Sequence, residues 1–504
     1  MKNEEVEVKL SLPPEQANSF RRSTLLRDHK VARAQTAQLI STYFDTPSLG
    51  LRRNGMALRI RQAGGLREQT LKWSNKPSSG LQSRTEFNTP IEADVPDFGV
   101  LKEAGMRDML SATGSIKKIA PVFATDVKRT TWLLDFNGSR IEVALDEGEI
   151  RSDDRVEPIS EIELELKDGE PVALIDLAIL IAGRLNVCPA VDSKAGRGYA
   201  LFDNEKRTAK KVKSPELTAD DTVVSAFQTF MHGGIKQLLE NRQVIIDGED
   251  AEGVHQGRIA VRRMRAAVSV FKPILEEGSL AKAQAELRWM QQELGPARDW
   301  DVFLETTVNP LLARLPDSAA LRALAKAAQA QQEAGYERAR AFLSSRRFAV
   351  SLLWLERWLL EVADESRKTE PLVDFAARLL QSRRKKARRK AGENVTALPE
   401  ATLHELRIEL KKLRYTAQLF KSLYPGAKTD AYMQRLSAMQ DCLGGLNDAA
   451  VQRGLLQQLK EAGTPANRDA QAILAGWHAA HTQTGLAHLA ALWADFAAAK
   501  PFWR

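Results

Sequence analysis

The stretch EVEVKL, residues 5–10, decides how the rest of the chain is interpreted. Successive side chains of a β-strand point to opposite faces, so Glu5, Glu7 and Lys9 share one face and the apolar residues share the other. Two carboxylates one strand repeat apart, followed by an ammonium group, can hold a divalent cation and contact the phosphate that it carries. The same pattern also describes a solvated edge strand, and the choice depends on whether other strands repeat it.

Size and composition set the first bounds. With 504 residues the chain is too long for one hydrophobic core, which predicts two or three domains. No stretch approaches the roughly 20 apolar residues that span a bilayer, and the first residues lack the apolar core of a signal peptide, so we expect a cytoplasmic protein. The net charge of +8 indicates a polyanionic partner. The distant Cys188 and Cys442 indicate neither a disulfide framework nor a zinc site.

Alternation of charged and apolar residues recurs through the first third of the chain. About eight segments carry it, and helical segments interrupt them near 14–26, 97–110 and 171–185. The acidic faces carry Glu5, Glu7, Glu161, Glu163 and Glu165, and the basic faces carry Arg59, Arg61, Lys72 and Arg129. Antiparallel sheets often have one solvated face, but such a face would also draw on Ser, Thr, Asn and Gln. The sorting therefore favours an eight-stranded barrel in which acidic and basic strands face each other across the lumen.

Charged residues inside a barrel and apolar residues outside it also describe a barrel of the bacterial outer membrane. The lack of an export signal and the amphipathic helices between the strands favour the other interpretation. Those helices can cover the apolar outer face of the barrel.

Seven short motifs follow one another in the first 203 residues in an order that a known family shares. They are EVEVK at 5–9, YFDT at 43–46, LRIR at 58–61, TLK at 70–72, RTE at 84–86, EIELE at 161–165 and SKAGRGY at 193–199. The set resembles the CYTH, or triphosphate tunnel metalloenzyme, superfamily, whose signature is ExExK. The resemblance implies an eight-stranded antiparallel tunnel that binds a triphosphate together with Mg²⁺ or Mn²⁺.

The resemblance also implies roles for individual residues. The metal ligands would be Glu5, Glu7, Glu161, Glu163 and Glu165, and the cations that hold phosphate oxygens would be Lys9, Arg59, Arg61, Lys72, Arg84, Arg129 and Lys194. Glu86, Glu142 and Asp146 would either hold a second metal, orient the attacking water or pair with neighbouring basic residues. Such a set suits phosphoryl transfer, which depends largely on positioning and on neutralising charge.

The rest of the chain has a different character. Residues 204–219 are polar, basic and interrupted by proline, which is typical of a linker between domains. Residues 220–504 have helical periodicity and predict an all-α region. Three motifs recur in it at one offset of 149 positions: HQGRI at 255–259 and HELRI at 404–408, RRMR at 262–265 and KKLR at 411–414, and ELGPARD at 293–299 and CLGGLND at 442–448. We therefore expect two pseudo-symmetric helical bundles, at about 220–370 and 371–504.

Each copy of the repeat places a histidine and several bases on one helix face. One face carries His255, Arg258, Arg262 and Arg265, and the other carries His404, Arg407, Lys411 and Arg414. The predicted polyphosphate-binding set also includes Arg263 and Lys412, which lie to one side of these faces. Most charged helix faces are solvated and contain Glu–Lys pairs, but Glu252 is the sole acid between positions 251 and 273. Like charges at this spacing repel each other unless an anion neutralises them. The aspartates Asp299, Asp301 and Asp448 either hold these helices in place or cap helices.

These motifs resemble the CHAD domain, a helical module that is often fused to CYTH domains. The resemblance covers about 220–500 and implies binding of inorganic polyphosphate, such as polyphosphate granules, without chemistry of its own. A nucleic-acid partner is disfavoured because the basic faces lack interleaved aromatic residues. The sequence thus predicts an α+β multidomain protein, with a tunnel domain at 1–203 and a polyphosphate-binding domain at 220–504.

The predicted function is a metal-dependent inorganic triphosphatase that cleaves triphosphate to pyrophosphate and phosphate and docks on polyphosphate. One alternative is a thiamine or nucleoside triphosphatase, or an adenylate cyclase, of the same superfamily. Such an enzyme needs a stacking surface, and alternation places most of the candidates Phe44, Trp73, Phe87 and Trp132 on the apolar outer side. Another alternative is a noncatalytic polyphosphate scaffold, which would lack tunnel carboxylates.

Overall fold

A computed structural model describes most of the chain. The described residues are 5–73, 81–99, 118–211, 213–248, 250–364, 370–444, 454–459 and 468–503. The chain divides into two compact units. The first comprises Met1–Lys210, Ile235–Asp250 and Leu343–Glu361, and the second comprises Lys211–Gly234, Ala251–Phe342 and Val362–Arg504. In the described part of the chain, no helix combines the length and the apolar character that a membrane span requires.

The first unit is built on one antiparallel sheet of nine described strands. They are β1 Glu5–Ser11, β2 Gln35–Asp45, β3 Met56–Ala63, β4 Leu66–Trp73, β5 Leu81–Pro90, β6 Ala120–Phe136, β7 Ser139–Ser152, β8 Arg155–Asp168 and β9 Cys188–Pro189. Their order is β5-β4-β3-β2-β6-β7-β8-β1-β9, with an additional pairing between β5 and β1. The sequence predicted eight strands, and the ninth escaped notice because two residues are too short to show alternation.

Strand β1 has neighbours on both sides and joins distant parts of the sheet. It pairs with β5 from Glu5↔Arg84 to Val8↔Leu81 and with β8 from Glu7↔Glu165 to Ser11↔Glu161. Hydrogen bonds between β5 and β1 therefore connect the two sides of the eight-strand series, and the charged faces of the strands turn toward a common interior.

Short turns with left-handed residues set the register of the hairpins. Gly64 and Gly65 connect β3 to β4 with φ values of 54° and 87°. Asn137 and Gly138 connect β6 to β7 with φ values of 51° and 73°. Positive φ at both central residues is the requirement of a type I′ turn, whose twist matches that of the strands. A fixed register matters here because a slip of one residue would turn every charged side chain to the opposite face.

Helices cover the apolar face of this sheet, as the sequence predicted. The first unit contains α1 Ala17–Arg21, α2 Thr24–His29, α3 Gly50–Arg53, α4 Pro171–Arg184 and α5 Lys194–Phe202. Leu174, Leu177 and Ile181 of α4 pack into one core with apolar residues of β1, β7 and β8, such as Val143 and Leu164. The predicted helix at 97–110 lies largely outside the described residues.

The second unit is helical in its described part, which confirms the predicted fold class. The other helices assigned in the described residues are α6 Val223–Asp247, α7 Glu252–Val270, α8 Glu277–Phe303, α9 Asn309–Arg314, α10 Ala319–Leu343, α11 Arg346–Asp364, α12 Leu372–Ala391, α13 Glu400–Leu419, α14 Ala427–Cys442, α15 Arg468–Ala487 and α16 Leu489–Ala498. Helix α6 and helix α11 contribute residues to both units.

The two copies of the sequence repeat adopt the same succession of elements. Helix α7 is followed by its C-cap residue Phe271 and a 3₁₀ turn at Lys272–Ile274, and helix α13 is followed by its C-cap residue Phe420 and a 3₁₀ turn at Lys421–Leu423. Phe271 and Phe420, which are 149 positions apart, pack against each other with ring centroids 5.8 Å apart. Equivalent residues thus meet at the centre of the helical core.

Candidate functional site

A cavity of about 530 Å³ lies inside the sheet of the first unit. Each strand from β1 to β8 contributes at least one side chain to its wall, and the first turn of α5 covers part of it. Its charged lining includes the predicted site residues Glu7, Lys9, Arg59, Arg61, Lys72, Arg129, Glu163, Glu165 and Lys194. Residues from across 190 positions of sequence are therefore brought together around one space.

The carboxylates of this site form two groups that follow from strand register. Glu7 of β1 and Glu142 of β7 both pair with Glu165 of β8, and we call these three residues the outer carboxylates. Four residues further along each strand, Asp146 of β7 pairs with Glu161 of β8. Asp146, Glu161 and Glu163 are called the inner carboxylates below. Each strand supplies every second residue, because alternate side chains face the interior.

The inner carboxylates are held in a dense network of cations. Glu163 accepts hydrogen bonds from Lys9 at 2.7 Å, from Lys194 at 3.0 Å and from Arg129. Asp146, which is fully buried, accepts two bonds from Arg129 at 2.6 and 2.7 Å and lies 2.7 Å from Lys194. Glu161 also accepts a bond from Lys194. Charges with several bonded partners can remain ionised in such a dry environment.

The pKa values of these groups follow from the network. Burial by itself raises the pKa of Glu163, but the three surrounding cations outweigh it and hold that pKa well below its ordinary value. The pKa of Asp146 is lowered in the same way, against burial, by Lys194 and Arg129. Burial lowers the pKa of Lys9, yet the neighbouring carboxylates raise it overall. Glu163, Asp146 and Lys9 are therefore charged near neutral pH.

Oxygen atoms of the three inner carboxylates all lie within 4.8 Å of one another. Three carboxylate oxygens at this spacing suit a hard divalent cation such as Mg²⁺ or Mn²⁺. Two members of this group, Glu161 and Glu163, were predicted as metal ligands, and Asp146 was predicted near them without a settled role. Glu7 and Glu165, also predicted as ligands, lie among the outer carboxylates next to Lys9 at 3.3 Å and Lys167 at 2.6 Å respectively.

Strand β3 contributes two arginines that are not paired with a carboxylate in the described structure. Among the described residues, no carboxylate lies within ion-pair distance of Arg59 or Arg61. Arg59 is only 9% exposed and its Nε atom has no hydrogen-bond partner in the described structure. Burial and the charges of Arg59 and Arg129 lower the pKa of Arg61 to about 10. An anion in the cavity would neutralise both guanidinium groups.

Three predicted site residues are described only in their backbone. Glu5 and Arg84 are paired between β1 and β5, and Glu86 is paired with Lys72 between β5 and β4. The side chains of Glu5, Arg84 and Glu86 lie outside the described part of the structure. Their pairings nevertheless place them on strands that line the cavity.

Sequence reasoning missed the residues that support this site from behind. Asp45 of the YFDT motif is buried and accepts hydrogen bonds from the backbone N–H groups of Leu51 at 2.9 Å and Arg52 at 3.0 Å. It thereby fixes α3 and places the Arg52 guanidinium over the ring of Tyr199, 5.5 Å from the centroid, at the cavity wall. A carboxylate in a turn before a helix is a capping signal that the sequence does contain.

Arg197 is a second missed residue, and it acts on an inner carboxylate from outside the cavity. Its Nη1 atom lies 3.3 Å from Glu161, its Nε atom donates to Glu157 at 2.8 Å, and its Nη2 atom donates to the Pro158 carbonyl at 2.5 Å. Arg197 and Lys194, three residues apart on α5, thus bind the two oxygens of Glu161 from the same helix.

Replacing Arg197 by glutamine is expected to weaken Mn²⁺ binding by about 10- to 100-fold, because loss of a group that orients a ligand typically costs this much. Calorimetric titration of the full chain with Mn²⁺ measures the change directly. Arg207→Gln is the matched control, since Arg207 also contacts Glu157, at 3.5 Å, without reaching Glu161. Equal affinities of the two variants would contradict this role.

The predicted stacking residues are packed in the hydrophobic core. Trp132 is 7% exposed and packs edge-on against Phe20 with centroids 5.9 Å apart, and Phe44 lies in a second core cluster against which Phe87 packs. The side chain of Trp73 lies outside the described part of the structure. The expectation from alternation therefore holds for the three residues that can be assessed.

The basic helix faces of the second unit meet around a separate cavity of about 740 Å³. Arg262 and Arg263 of α7 and Arg414 of α13 line it together with Tyr415. The guanidinium or ammonium groups of Arg262, Lys411 and Arg414 all lie within 5.9 Å of the centroid of the Tyr415 ring. The sequence predicted that these bases lack interleaved aromatic residues. This prediction was wrong, because Tyr415 directly follows Arg414 and lies among them.

Several of the other predicted residues in this part of the chain have ion-pair or hydrogen-bond partners. Arg258 pairs with Asp299 at 2.8 Å, so this aspartate does hold α7 in place, and Lys412 pairs with Glu409 at 2.6 Å. Asp301 accepts bonds from Gln332 and Tyr336, whereas Asp448 lies outside the described residues. Burial and the charge of Arg298 lower the pKa of His255. His404 and Arg407 lie on α13 at the equivalent positions of the second copy.

Comparison with known proteins finds a matching domain family for each part of the chain. Residues 3–199 match the CYTH domain and residues 230–457 match the CHAD domain. An inorganic triphosphatase of Haemophilus influenzae is 36% identical over 199 residues, which is 39% of this chain and 55% of that protein. The chain therefore spans about half the length of that relative.

Two further relatives extend the similarity to the helical part. An uncharacterised protein of Mycobacterium tuberculosis is 26% identical over 467 residues, covering 87% of this chain and 86% of that protein. The crystal structure of the CHAD domain from the plant Ricinus communis covers 58% of this chain and 98% of that domain, with 29% identity and a TM-score of 0.51. The helical part thus shares the fold of that domain.

Proposed function

The chain contains a CYTH domain followed by a CHAD domain, and on this premise we propose that it is a cytoplasmic, metal-dependent inorganic triphosphatase that also binds inorganic polyphosphate. The observation that carries the proposal is the division of charge inside the cavity of the first unit. Arg59 and Arg61 lie there without a described carboxylate partner, and the inner carboxylates lie on the facing strands. A short phosphate chain would neutralise Arg59 and Arg61, and the divalent cation that it carries would bind the inner carboxylates.

The residues divide the work of hydrolysing triphosphate to pyrophosphate and phosphate. Arg59, Arg61 and Lys72 would bind phosphate oxygens, with Lys9, Arg129 and Lys194 neutralising charge beside the inner carboxylates. Asp146, Glu161 and Glu163 would hold the cation, and Glu7 and Glu165 would hold a second one. The cation, Mg²⁺ or Mn²⁺, would supply charge neutralisation at the transferred group and would make a water molecule more acidic. Glu5, Arg84 and Glu86 complete the proposed set by their positions on β1 and β5.

The aromatic residues of the cavity wall favour an inorganic substrate over a nucleotide or a thiamine phosphate, because neither of these residues can stack on a base. Of the described residues that line the cavity, Tyr43 and Tyr199 are the aromatic ones, and each is 3% exposed. Phe123 packs against both rings, at 4.5 and 5.1 Å between centroids. Neither ring offers a free face to a base. A noncatalytic scaffold is disfavoured because Glu7, Glu163 and Glu165 line the cavity and an oxygen of Glu161 lies within 4.8 Å of one of Glu163.

Phosphate release by the purified full chain tests the catalytic part of the proposal. We expect triphosphate to be cleaved at least about tenfold faster than ATP or thiamine triphosphate, a difference of about 1.4 kcal/mol in the barrier. Activity should vanish with EDTA and return with Mg²⁺ or Mn²⁺. Faster turnover of ATP than of triphosphate, or full activity in EDTA, would contradict the proposal.

Polyphosphate binding by the second unit is tested separately with the same protein. Retention on immobilised polyphosphate should persist in the presence of excess RNA, and Arg258→Glu combined with Arg407→Glu should abolish it while triphosphate hydrolysis continues. Because both ligands present repeating phosphates, charge alone does not separate them, and the competition is therefore decisive. Displacement by RNA would favour a nucleic-acid partner instead.

A further inference from the structure

Helix α7 separates two basic cavities of the second unit. On one side lies the cavity that Arg262, Arg263 and Arg414 line, here called the α7–α13 cavity. On the other side lies a cavity of about 560 Å³ between α7, α8 and α10, here called the α7–α8 cavity. Its lining includes four arginines, Arg258, Arg265, Arg288 and Arg338, and one acidic residue, Asp299.

The arginines of the α7–α8 cavity differ in how far they are compensated. Arg258 pairs with Asp299 at 2.8 Å and Arg338 pairs with Glu293 at 2.6 Å. Arg265 donates to the neutral side chain of Gln291, and in the described structure neither it nor Arg288 lies within ion-pair distance of a carboxylate. Burial and the charge of Arg288 lower the pKa of Arg265. The cavity therefore holds two arginines that repel each other and can bind an anion.

The two cavities are joined by one row of arginines on α7. Arg258 and Arg265 line the α7–α8 cavity, and Arg262, which lies between them on the helix, lines the α7–α13 cavity. Lys411 lies beside this row, since its ammonium group and the Arg262 guanidinium both lie within 5.9 Å of the centroid of the Tyr415 ring.

The pKa of Lys411 is lowered by burial and by the charges of neighbouring arginines. These include Arg262 and Arg414, which line the α7–α13 cavity, and Arg265, which lines the α7–α8 cavity. One lysine thus lies within the field of both arginine groups. A linear polyanion that binds one group is attracted by the other.

We propose that a single polyphosphate chain occupies both cavities and that Arg288 binds the part of the chain in the α7–α8 cavity. The inference rests on the proposed polyphosphate binding and adds a residue and a length requirement to it. A short chain fills the α7–α13 cavity alone, whereas a longer chain crosses the arginine row of α7 and gains the contacts of the second cavity. Affinity should therefore rise with chain length beyond what the first cavity accommodates.

Binding of end-labelled polyphosphates of graded length to the full chain tests this inference, with EDTA present to stop hydrolysis. Arg288→Glu is expected to weaken binding of long chains by about tenfold, equivalent to about 1.4 kcal/mol, and to leave short chains unaffected. The affinity of the Arg288→Glu variant for long chains should also depend less on salt concentration, because the variant neutralises fewer phosphates. Arg468→Glu, at an exposed position outside both cavities, makes the same change of charge and is the control.

The outcomes separate the inference from the proposed function. Binding of a chain end inside the sheet of the first unit is common to both variants and cancels in the comparison. If the unmodified protein binds no chain of any length, polyphosphate binding and the inference both fail. If it binds long chains and the two variants are equal, the inference alone is overturned.

Discussion

Replacing Glu163 by glutamine is expected to lower kcat for triphosphate by about 1,000-fold, the upper range for loss of one preorganised charged group in an active site. Glu163 belongs to the three inner carboxylates and is the acceptor for Lys9, Lys194 and Arg129. A neutral amide of the same shape would weaken the binding of the cation and leave three ammonium or guanidinium groups without their shared partner. Phosphate release at saturating metal and substrate measures the loss.

Two controls show whether the charge of Glu163 or the fold is responsible. Glu170→Gln makes the same chemical change at an exposed position of the same unit and should keep full activity. Polyphosphate binding by the Glu163→Gln protein should equal that of the parent, because the second unit is untouched. Parental turnover by Glu163→Gln, with the variant folded, would remove Glu163 from the catalytic set.

The architecture of the first unit follows from local pattern, which is why the sequence predicted so much of it. Alternation has a period of two residues and needs no tertiary information, so it identifies both the strands and the face that each turns inward. The sorting of acidic and basic strands then indicated that the charged faces meet. The pairing of β1 with both β5 and β8 satisfies that expectation.

Which charge contacts which other charge was beyond the sequence. Lys194 reaches Asp146 and Glu161 because α5 lies against β7 and β8, and the partners are 48 and 33 positions away. Arg197 and Arg52 were overlooked for the same reason, since their partners are known only once the register and the helix positions are fixed. Local periodicity assigns a residue to a face, whereas ion pairing depends on distances across elements.

The helical unit illustrates the same limit. Periodicity placed Arg258, Arg262 and Arg265 on one face of α7, and they do lie on that helix. The structure divides the face, because α8 packs along one side of α7 and α13 along the other. Arg258 and Arg265 therefore line a different cavity from Arg262. A stripe on an isolated helix carries no information about its neighbours.

Replacing Asp146 by asparagine is expected to destabilise the first unit by about 3–5 kcal/mol, the usual cost of removing one partner from a buried ion pair. Asp146 is fully buried, and its loss leaves Arg129 and Lys194 with uncompensated charge in a low-dielectric interior. Because a chain of several domains does not unfold in one step, a local probe is required. Amide hydrogen exchange in peptides of β7 and β8, measured in EDTA, reports the opening free energy of this part of the sheet.

The pH dependence of the destabilisation by Asp146→Asn tests whether that destabilisation is electrostatic. The pKa of Asp146 in the folded state lies below its ordinary value of 3.8, because Lys194 and Arg129 outweigh burial. A lowered pKa means that ionised Asp146 stabilises the fold above pH 3.8 and that this stabilisation is lost as pH falls through the folded pKa. The difference in opening free energy between the parent and Asp146→Asn should therefore be constant from pH 6 to 8 and become smaller below pH 4. Asp135→Asn, on the exposed side of β6, should have the same opening free energy as the parent at every pH. If the difference for Asp146→Asn persists unchanged at acid pH, packing and not charge holds β7 in place.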